Sequence, residues 1–268
     1  YDAPGLLRRY PMAEGIMCGE GEESFLELVE YFHGEAGRCL RNIRGIAYRD
    51  NEGRVQVNDP RPVLDLSTIP FVYGREYNNM ETFRNRIIYY ESSRGCPFSC
   101  SYCLSSIDKC LRFRDIDLVR RELQFFLDQN VPQVKFVDRT FNCRHDHAMA
   151  VWTYIAEHDN GITNFHFEVS ADLLNDAEIA LIRTMRPGLI QLEIGVQSAN
   201  ERTIREIRRN MNLDEVRRKT ALIREQRNVH QHLDLIAGLP WEDYESFARS
   251  FDVVYAMKPD QLQLGFLK

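Results

Sequence analysis

From Ile87 onward the chain alternates short apolar runs with longer amphipathic ones, and this alternation leaves few folds open. Strands are expected near 87–91, 134–138, 164–170, 189–196, 231–237 and 261–266, with helices near 115–129, 146–158, 176–185, 201–208 with 214–226, and 243–257. Strands that alternate with helices pair in parallel, cross over with right-handed connections and are covered by those helices. Residues 87–268 are therefore expected to form an α/β core, a partial (β/α)6 barrel of TIM type with an open lumen.

The strands carry a second signal. Parallel strands covered on both faces read as continuous apolar runs. Here they alternate: His166, Glu168 and Ser170 against Phe165, Phe167 and Val169, then Gln191, Glu193, Gly195 and Gln197 against Ile190, Leu192, Ile194 and Val196. His232 and Asp234 alternate with Leu233 and Leu235, and Gln261 and Gln263 with Leu262 and Leu264. Neighbouring side chains point to opposite faces of a strand. The apolar set is expected to meet the helices and the polar set the lumen. Unpaired buried carboxylates cost several kcal/mol each, so the lumen is expected to be wet or to hold a ligand. An antiparallel sheet with one solvated face would show the same alternation, but the intervening helical runs argue against it.

The loop after the first of these strands is Cys96-Pro-Phe-Ser-Cys100-Ser-Tyr-Cys103. Seven cysteines scattered at random over the chain would produce C-x3-C-x2-C spacing about 0.005 times. Three thiolates on one short loop can bind three irons of a cubane cluster and leave the fourth iron for an outside ligand. The alternatives are disulfides or a structural zinc site with Cys110 as fourth ligand. Zinc knuckles usually pair C-x2-C with a distant second pair, which this spacing does not supply.

The run Arg94-Gly95-Cys96-Pro-Phe-Ser-Cys100-Ser-Tyr-Cys103 resembles the signature loop of the radical S-adenosylmethionine (SAM) superfamily. The resemblance implies a 4Fe-4S cluster on Cys96, Cys100 and Cys103, with SAM chelated at the open iron and cleaved reductively to a 5′-deoxyadenosyl radical. The stretches Phe167-Glu168-Val169, Gly195-Val196-Gln197 and Asp234–Pro240 resemble oxygen-independent coproporphyrinogen oxidases. By that likeness Glu168 approaches the methionine moiety of SAM, Gln197 and Asp234 bond the ribose hydroxyls, Arg209 pairs with the methionine carboxylate and Tyr102 lies near the adenine. Asp138-Arg139-Thr140 stands where the superfamily has a glycine-rich segment on the SAM amino group; without the glycines, backbone carbonyls near Asp138 are the expected contact. No catalytic residue beyond the cluster is assigned.

Ahead of this core, Met12–Cys18, Gly19-Glu-Gly-Glu22 and the amphipathic run Ser24–His33 read as strand, turn and helix. Residues 1–40 are expected to be the C-terminal β-α remnant of a flavodoxin-like cobalamin-binding domain, since from Gly19 on the chain resembles cobalamin-binding-domain radical SAM proteins. The Asp-x-His-x-x-Gly cobalamin motif is absent from it. Residues 41–86 are expected to be a connector with a small hairpin around Asp50-Asn-Glu-Gly53. The chain lacks an initiator methionine and is expected to be a piece of a longer protein. The implied reaction is a cobalamin-dependent methyl transfer or related radical reaction. The alternatives are a cobalamin-independent radical SAM enzyme, of porphyrinogen oxidase or methylthiotransferase type, and a zinc-binding structural module.

Composition narrows the partners. A net charge of −6 argues against broad nucleic-acid binding, which needs phosphate-neutralising cations. Arg202, Arg205, Arg208, Arg217, Arg218 and Lys219 read as solvated helix faces. No apolar run is long enough to cross a bilayer, and no signal peptide is expected from this sequence. A reducing cytoplasm is therefore expected, with an electron donor such as flavodoxin or ferredoxin and a substrate that the sequence does not name.

Overall fold

A computed structural model of the chain describes residues 2–74 and 85–267. It divides into two compact units, the first ending at Ile69 and the second beginning at Pro70.

The first unit contains α1 (Ala3–Arg9), β1 (Gly15–Met17), α2 (Glu22–Phe32), β2 (Ile46–Arg49) and β3 (Val55–Val57). The hairpin β2–β3 forms as its turn residues predict, and β1 pairs antiparallel with β2 to extend it to three strands. This pairing corrects the expected division, because residues read as a remnant and as a connector share one sheet, and the unit runs past both residue 40 and the hairpin. The part of the expected connector at 75–84 lies outside the described residues. The helix α1, not foreseen from the sequence, starts where the Asp2 carboxylate caps the Gly5 amide, and it packs Ala3 and Leu7 against Ala47. The helix α2 forms as its spacing predicts, yet Phe25 and Phe32 stay 60% and 77% exposed. It is held by Arg61, which pairs with Glu23 and Glu27.

The second unit begins its regular structure with β4 (Ile88–Tyr90), β5 (Ser93–Arg94), β6 (Arg112–Phe113), α3 (Ile116–Asp128), β7 (Gln133–Phe136) and α4 (His145–Glu157). It continues through β8 (Asn164–Val169), α5 (Asp176–Thr184), β9 (Ile190–Gln197), α6 (Glu201–Glu206) and α7 (Leu213–Arg224), then β10 (His230–Ala237), α8 (Tyr244–Tyr255) and β11 (Gln261–Phe266). Strands β4, β7, β8, β9, β10 and β11 lie in that order in one sheet, and every neighbouring pair is parallel. This is the expected β/α succession, with β4 and β11 at its two ends.

The helix starts are written locally. Asp115 caps α3, Asn175 and Glu178 form a reciprocal capping box on α5, and Asn200, Asn212 and Asp243 cap α6, α7 and α8. Each satisfies amides that have no partner in the first helical turn.

The alternation resolves as expected. Phe165, Phe167, Ile190, Leu192, Ile194, Val196 and Leu235 are at most 1% exposed, and they meet Val119, Leu123, Val151, Trp152 and Ile155 from the helices. An aromatic knot holds the middle: the Phe167 ring lies 4.5 Å from Phe136 and 4.4 Å from Phe141, and Phe141 lies 5.3 Å from Trp152. The last strand is looser, with Leu264 47% exposed. Phe167→Ala is expected to destabilise the second unit by about 3–5 kcal/mol. Leu264→Ala, in a half-solvated place, is expected to cost under about 1 kcal/mol. Denaturant midpoints of the two variants check the ordering.

Candidate active site

The cysteine loop leaves the C-terminal end of β4, the end where such sheets carry their sites. Its neck is a short antiparallel ladder that the sequence did not announce, Ser93 opposite Phe113 and Arg94 opposite Arg112. Residues 95–111 thus form a closed lasso. Gly95 sits where the strands separate, at φ +96, and a Cβ there would stand 2.6 Å from the Cys110 carbonyl oxygen. Only glycine meets both demands. Inside the lasso the Cys96 amide donates to Asp108 O at 3.1 Å and the Cys103 amide to Cys100 O at 3.2 Å. The Ser101 amide donates to Ile207 O at 2.9 Å, which fastens the loop to the end of α6.

Cys96, Cys100 and Cys103 line one cavity, together with Tyr102, Glu168, Gln197, Arg209 and Asp234. The structure therefore brings together, from five separate stretches of sequence, eight of the nine residues singled out above. The cavity contains about 890 Å³ of space between its walls and mouth, part of it open to solvent. Cys96 and Cys100 are buried and Cys103 is half-buried. Among the described residues, no three Cys, His, Asp or Glu side chains form a group that could hold a single metal ion. Four thiolates on one zinc at ~2.3 Å would stand within ~4 Å of one another. The cysteines instead line the wall, the arrangement suited to a larger body that takes each thiolate on its own metal corner.

Asp138 is the exception. It does not line the cavity, although its neighbours Arg139 and Thr140 do. Its carboxylate is fully buried behind the lasso neck, where Oδ2 accepts from the Ser92 amide at 3.0 Å and Oδ1 from the Ser92 and Ser93 hydroxyls at 2.7 and 2.5 Å. Burial pushes its pKa up to about 6 against the pull of those hydrogen bonds. The carboxylate is thus committed to the two serines, and the contact expected near Asp138 is one of backbone carbonyls. Cys110 is exposed, and neither it nor Cys143 lines the cavity. Burial pushes the Cys143 thiol up to about 11, so it stays protonated near neutral pH.

The mouth-side wall is built around the end of β9. Between Asp234 and Leu235 the β9–β10 register slips, so that Gly195 and Gln197 oppose successive residues of β10. This bulge puts Gln197 at φ +72, a strained value for a residue with a side chain. The Gln197 amide folds back over Gly195, where any Cβ would meet it at 2.3 Å. Arg209 reaches the same spot: one Nη donates to Gly195 O, and the other lies 3.3 Å from the Tyr102 hydroxyl and 4.0 Å from Cys100 Sγ. Burial pushes the Tyr102 phenol up to about 12, with Arg209 pulling the other way.

Glu193 and Lys135 were not singled out from the sequence, although both occupy lumen positions of the alternation. Glu193 Oε2 lies 2.9 Å from both Lys135 Nζ and His166 Nε2. The close His166 ring and the Lys135 ammonium hold Glu193 down at about 2. Asp234 has no such escort. Its Oδ1 lies 3.0 Å from His232 Nε2, close enough for attraction but out of line for a hydrogen bond. Burial, then the charges of Glu193 and Glu168, push Asp234 up to about 7. Burial and Glu193 likewise raise Glu168.

Three polar atoms on this wall are buried without a hydrogen-bond partner: Gln197 Oε1, Arg209 Nε and Asp234 Oδ1. Native interiors leave few such atoms, and three converging on one cavity mark a place built for a polar ligand. The available chemistry is an acceptor pair suited to a diol, a guanidinium suited to a carboxylate, and acids suited to a cation.

The Radical SAM superfamily profile matches residues 90–254. An uncharacterized methyltransferase of Pyrococcus horikoshii is 26% identical over 268 aligned residues, covering 93% of this chain and 56% of its own length. Among solved structures, the radical S-adenosylmethionine methyltransferase TsrM from Kitasatospora setae, with cobalamin and a [4Fe-4S] cluster bound, matches 98% of this chain and 54% of its own. Its TM-score is 0.77 and its identity 18%. The cobalamin-dependent S-adenosylmethionine radical enzyme OxsB, with aqua-cobalamin and S-adenosylmethionine bound, matches 94% of this chain and 37% of its own, at a TM-score of 0.71 and 17% identity. At these identities the structural likeness carries the fold, the parallel α/β sheet of the family. The chain spans about half the length, or less, of the relatives it matches.

Gly95→Ala is expected to misplace the lasso, because the added methyl meets backbone on a left-handed residue. Thiol labelling of the metal-free chain checks this: Cys96 and Cys100, buried in the parent, should react at rates near that of exposed Cys110. Asp234 supplies a pH test. Its folded pKa is raised, so its contribution to stability is fully present below the unfolded value of about 3.9 and is lost as pH rises through about 7. Asp234→Asn should therefore gain on the parent in denaturant midpoint as pH goes from 4 to 8; an unchanged difference across that range would count against the assignment.

Proposed function

The chain belongs to the radical SAM superfamily, and from that premise we propose that the cavity holds a 4Fe-4S cluster on Cys96, Cys100 and Cys103 with SAM beside it. The observation that carries this reading is the meeting of the three cysteines with Gln197, Arg209, Glu168 and Asp234 on one cavity wall. When bound, the cluster supplies one electron to the sulfonium of SAM, whose C–S bond then breaks to give methionine and a 5′-deoxyadenosyl radical.

The protein's own part is binding and charge placement. Arg209 is already anchored on Gly195 O and Tyr102, so its free Nε offers a donor to a carboxylate at little further entropic cost. Gln197 Oε1 and Asp234 Oδ1 lack partners and would accept from the two ribose hydroxyls. Asp234 does this best when ionised, and a nearby sulfonium would itself pull its pKa down from about 7. Glu168 faces the same cavity and would offset that positive charge. Tyr102, held by Arg209, offers a ring face toward the adenine. The backbone at Arg139 and Thr140 would take the SAM amino group.

The reaction we favour beyond this step is a methyl transfer that uses cobalamin supplied by a part of the protein outside this chain. The support is the company the chain keeps: a methyltransferase among its relatives, and cobalamin-bound enzymes among its structural neighbours. An electron donor such as a flavodoxin or ferredoxin would supply the reductant. No described helix is long and apolar enough to cross a membrane, and a cytoplasmic site of action is proposed with the rest.

Anaerobic reconstitution should load about four irons and four sulfides per chain. Cys100→Ala should abolish reductive SAM cleavage and leave the circular-dichroism spectrum unchanged. One tightly held zinc with no iron would overturn the proposal. SAM affinity should also rise between pH 6 and pH 8 in the parent and stay flat in Asp234→Asn.

A further inference from the structure

We propose that Asp138 is a positioning residue for the cysteine loop, acting through Ser92 and Ser93 and not by contact with SAM. This rests on the reading that the loop carries the metal group.

One carboxylate grips two consecutive residues. It takes the Ser92 amide at 3.0 Å and both hydroxyls at 2.7 and 2.5 Å. Fixing side chain and backbone of residues 92 and 93 together fixes the direction in which the chain reaches Cys96, three residues later. The grip comes from outside the loop. Asp138 follows β7, whose end is tied to β4 where the Val137 amide donates to Tyr90 O at 2.9 Å. The sheet therefore holds the carboxylate, and the carboxylate holds the loop.

A second element closes on the same point. His147, in the first turn of α4, places Nε2 2.9 Å from the Ser92 hydroxyl. That hydroxyl has one proton and gives it to Asp138, so it accepts from an Nε2–H of His147. The His147 ring packs 4.8 Å from Phe113, whose strand partner is Ser93. The Arg114 amide donates to Ser92 O at 2.8 Å and closes the neck from its far side. Ser92, Asp138 and Ser93 are 0%, 0% and 4% exposed, so water cannot replace any of these bonds.

A buried carboxylate is a costly way to gain stability alone, since it must be desolvated, and its hydrogen bonds here come from hydroxyls and an amide. What it provides over an apolar filler is direction. Three acceptor bonds to two adjacent residues admit one geometry, whereas apolar packing would admit several.

The test uses Asp138→Asn, which keeps the side-chain shape and turns one acceptor into a donor. Two readouts are taken. The first is amide exchange at Ser92 in the metal-free chain, which needs no cluster. The second is SAM affinity of the iron-loaded chain at matched iron content. Losing one bond of this network should speed Ser92 exchange about tenfold and weaken SAM binding about tenfold. Parental exchange overturns the proposal. So does faster exchange with parental SAM affinity, because Asp138 would then hold the fold without setting the site. If Asp138→Asn yields no folded protein, Ser93→Ala and His147→Phe carry the same readouts and the same criteria. Failure of the parent to load iron or bind SAM falls on the proposed function, and Ser92 exchange then decides whether Asp138 holds the neck.

Discussion

A row of charged and amide side chains sits on the lumen face of a parallel sheet, and the rest of the site follows from keeping that row solvated or paired. Two neighbouring acids of this row show both solutions. Glu193 shares one oxygen between Lys135 and His166 and stays ionised. Asp234, buried and facing the charges of Glu193 and Glu168 with an ill-aligned histidine beside it, is pushed toward neutrality. Their environments drive the two carboxyls apart, the pattern by which one cavity acquires both a fixed charge and a titratable one.

The cysteine loop answers a different constraint. A loop that presents three thiols cannot be rigid by its own packing, because its Leu104 and Ile107 side chains stand 75% and 62% exposed instead of forming a core. Rigidity is imported. The ladder Ser93–Arg94 with Arg112–Phe113 closes the neck, Gly95 permits the close passage against Cys110, and Ile207 receives the Ser101 amide from the far side. Arg209, two residues after Ile207, then joins the loop to the bulge at Gln197 through Tyr102 and Gly195. Loop, α6 and β9 are thus tied to one another by hydrogen bonds, which keeps the binding groups in fixed relation to the sulfurs.

Much of this was legible from residue order. The six core strands and their helices stand within about three residues of expectation, since period-two and period-3.6 patterns are local and strong here. The lumen assignment of Glu168, Gln197 and Asp234 followed from the same alternation. Three things were not legible. The antiparallel neck joins residues about twenty apart through two-residue strands, too short for any pattern. The pairing of β1 with β2 joins segments that read as separate pieces. Asp138 lay at the right strand end for a ligand contact, but its side chain turns toward Ser92, and nothing in Asp-Arg-Thr states which way it turns.

Sequence alone determined the chemistry on offer: three thiols at C-x3-C-x2-C spacing, and a polar face on strands that otherwise had to be buried. These are properties of spacing and period, carried by covalent order. Tertiary structure decided which groups are free to bind. Glu193 is spent on Lys135 and His166 and Asp138 on two serines, while Gln197, Arg209 and Asp234 keep unpartnered atoms. Partnering depends on residues brought close from distant parts of the chain, and a buried group's pairing is set by the neighbours that water cannot replace.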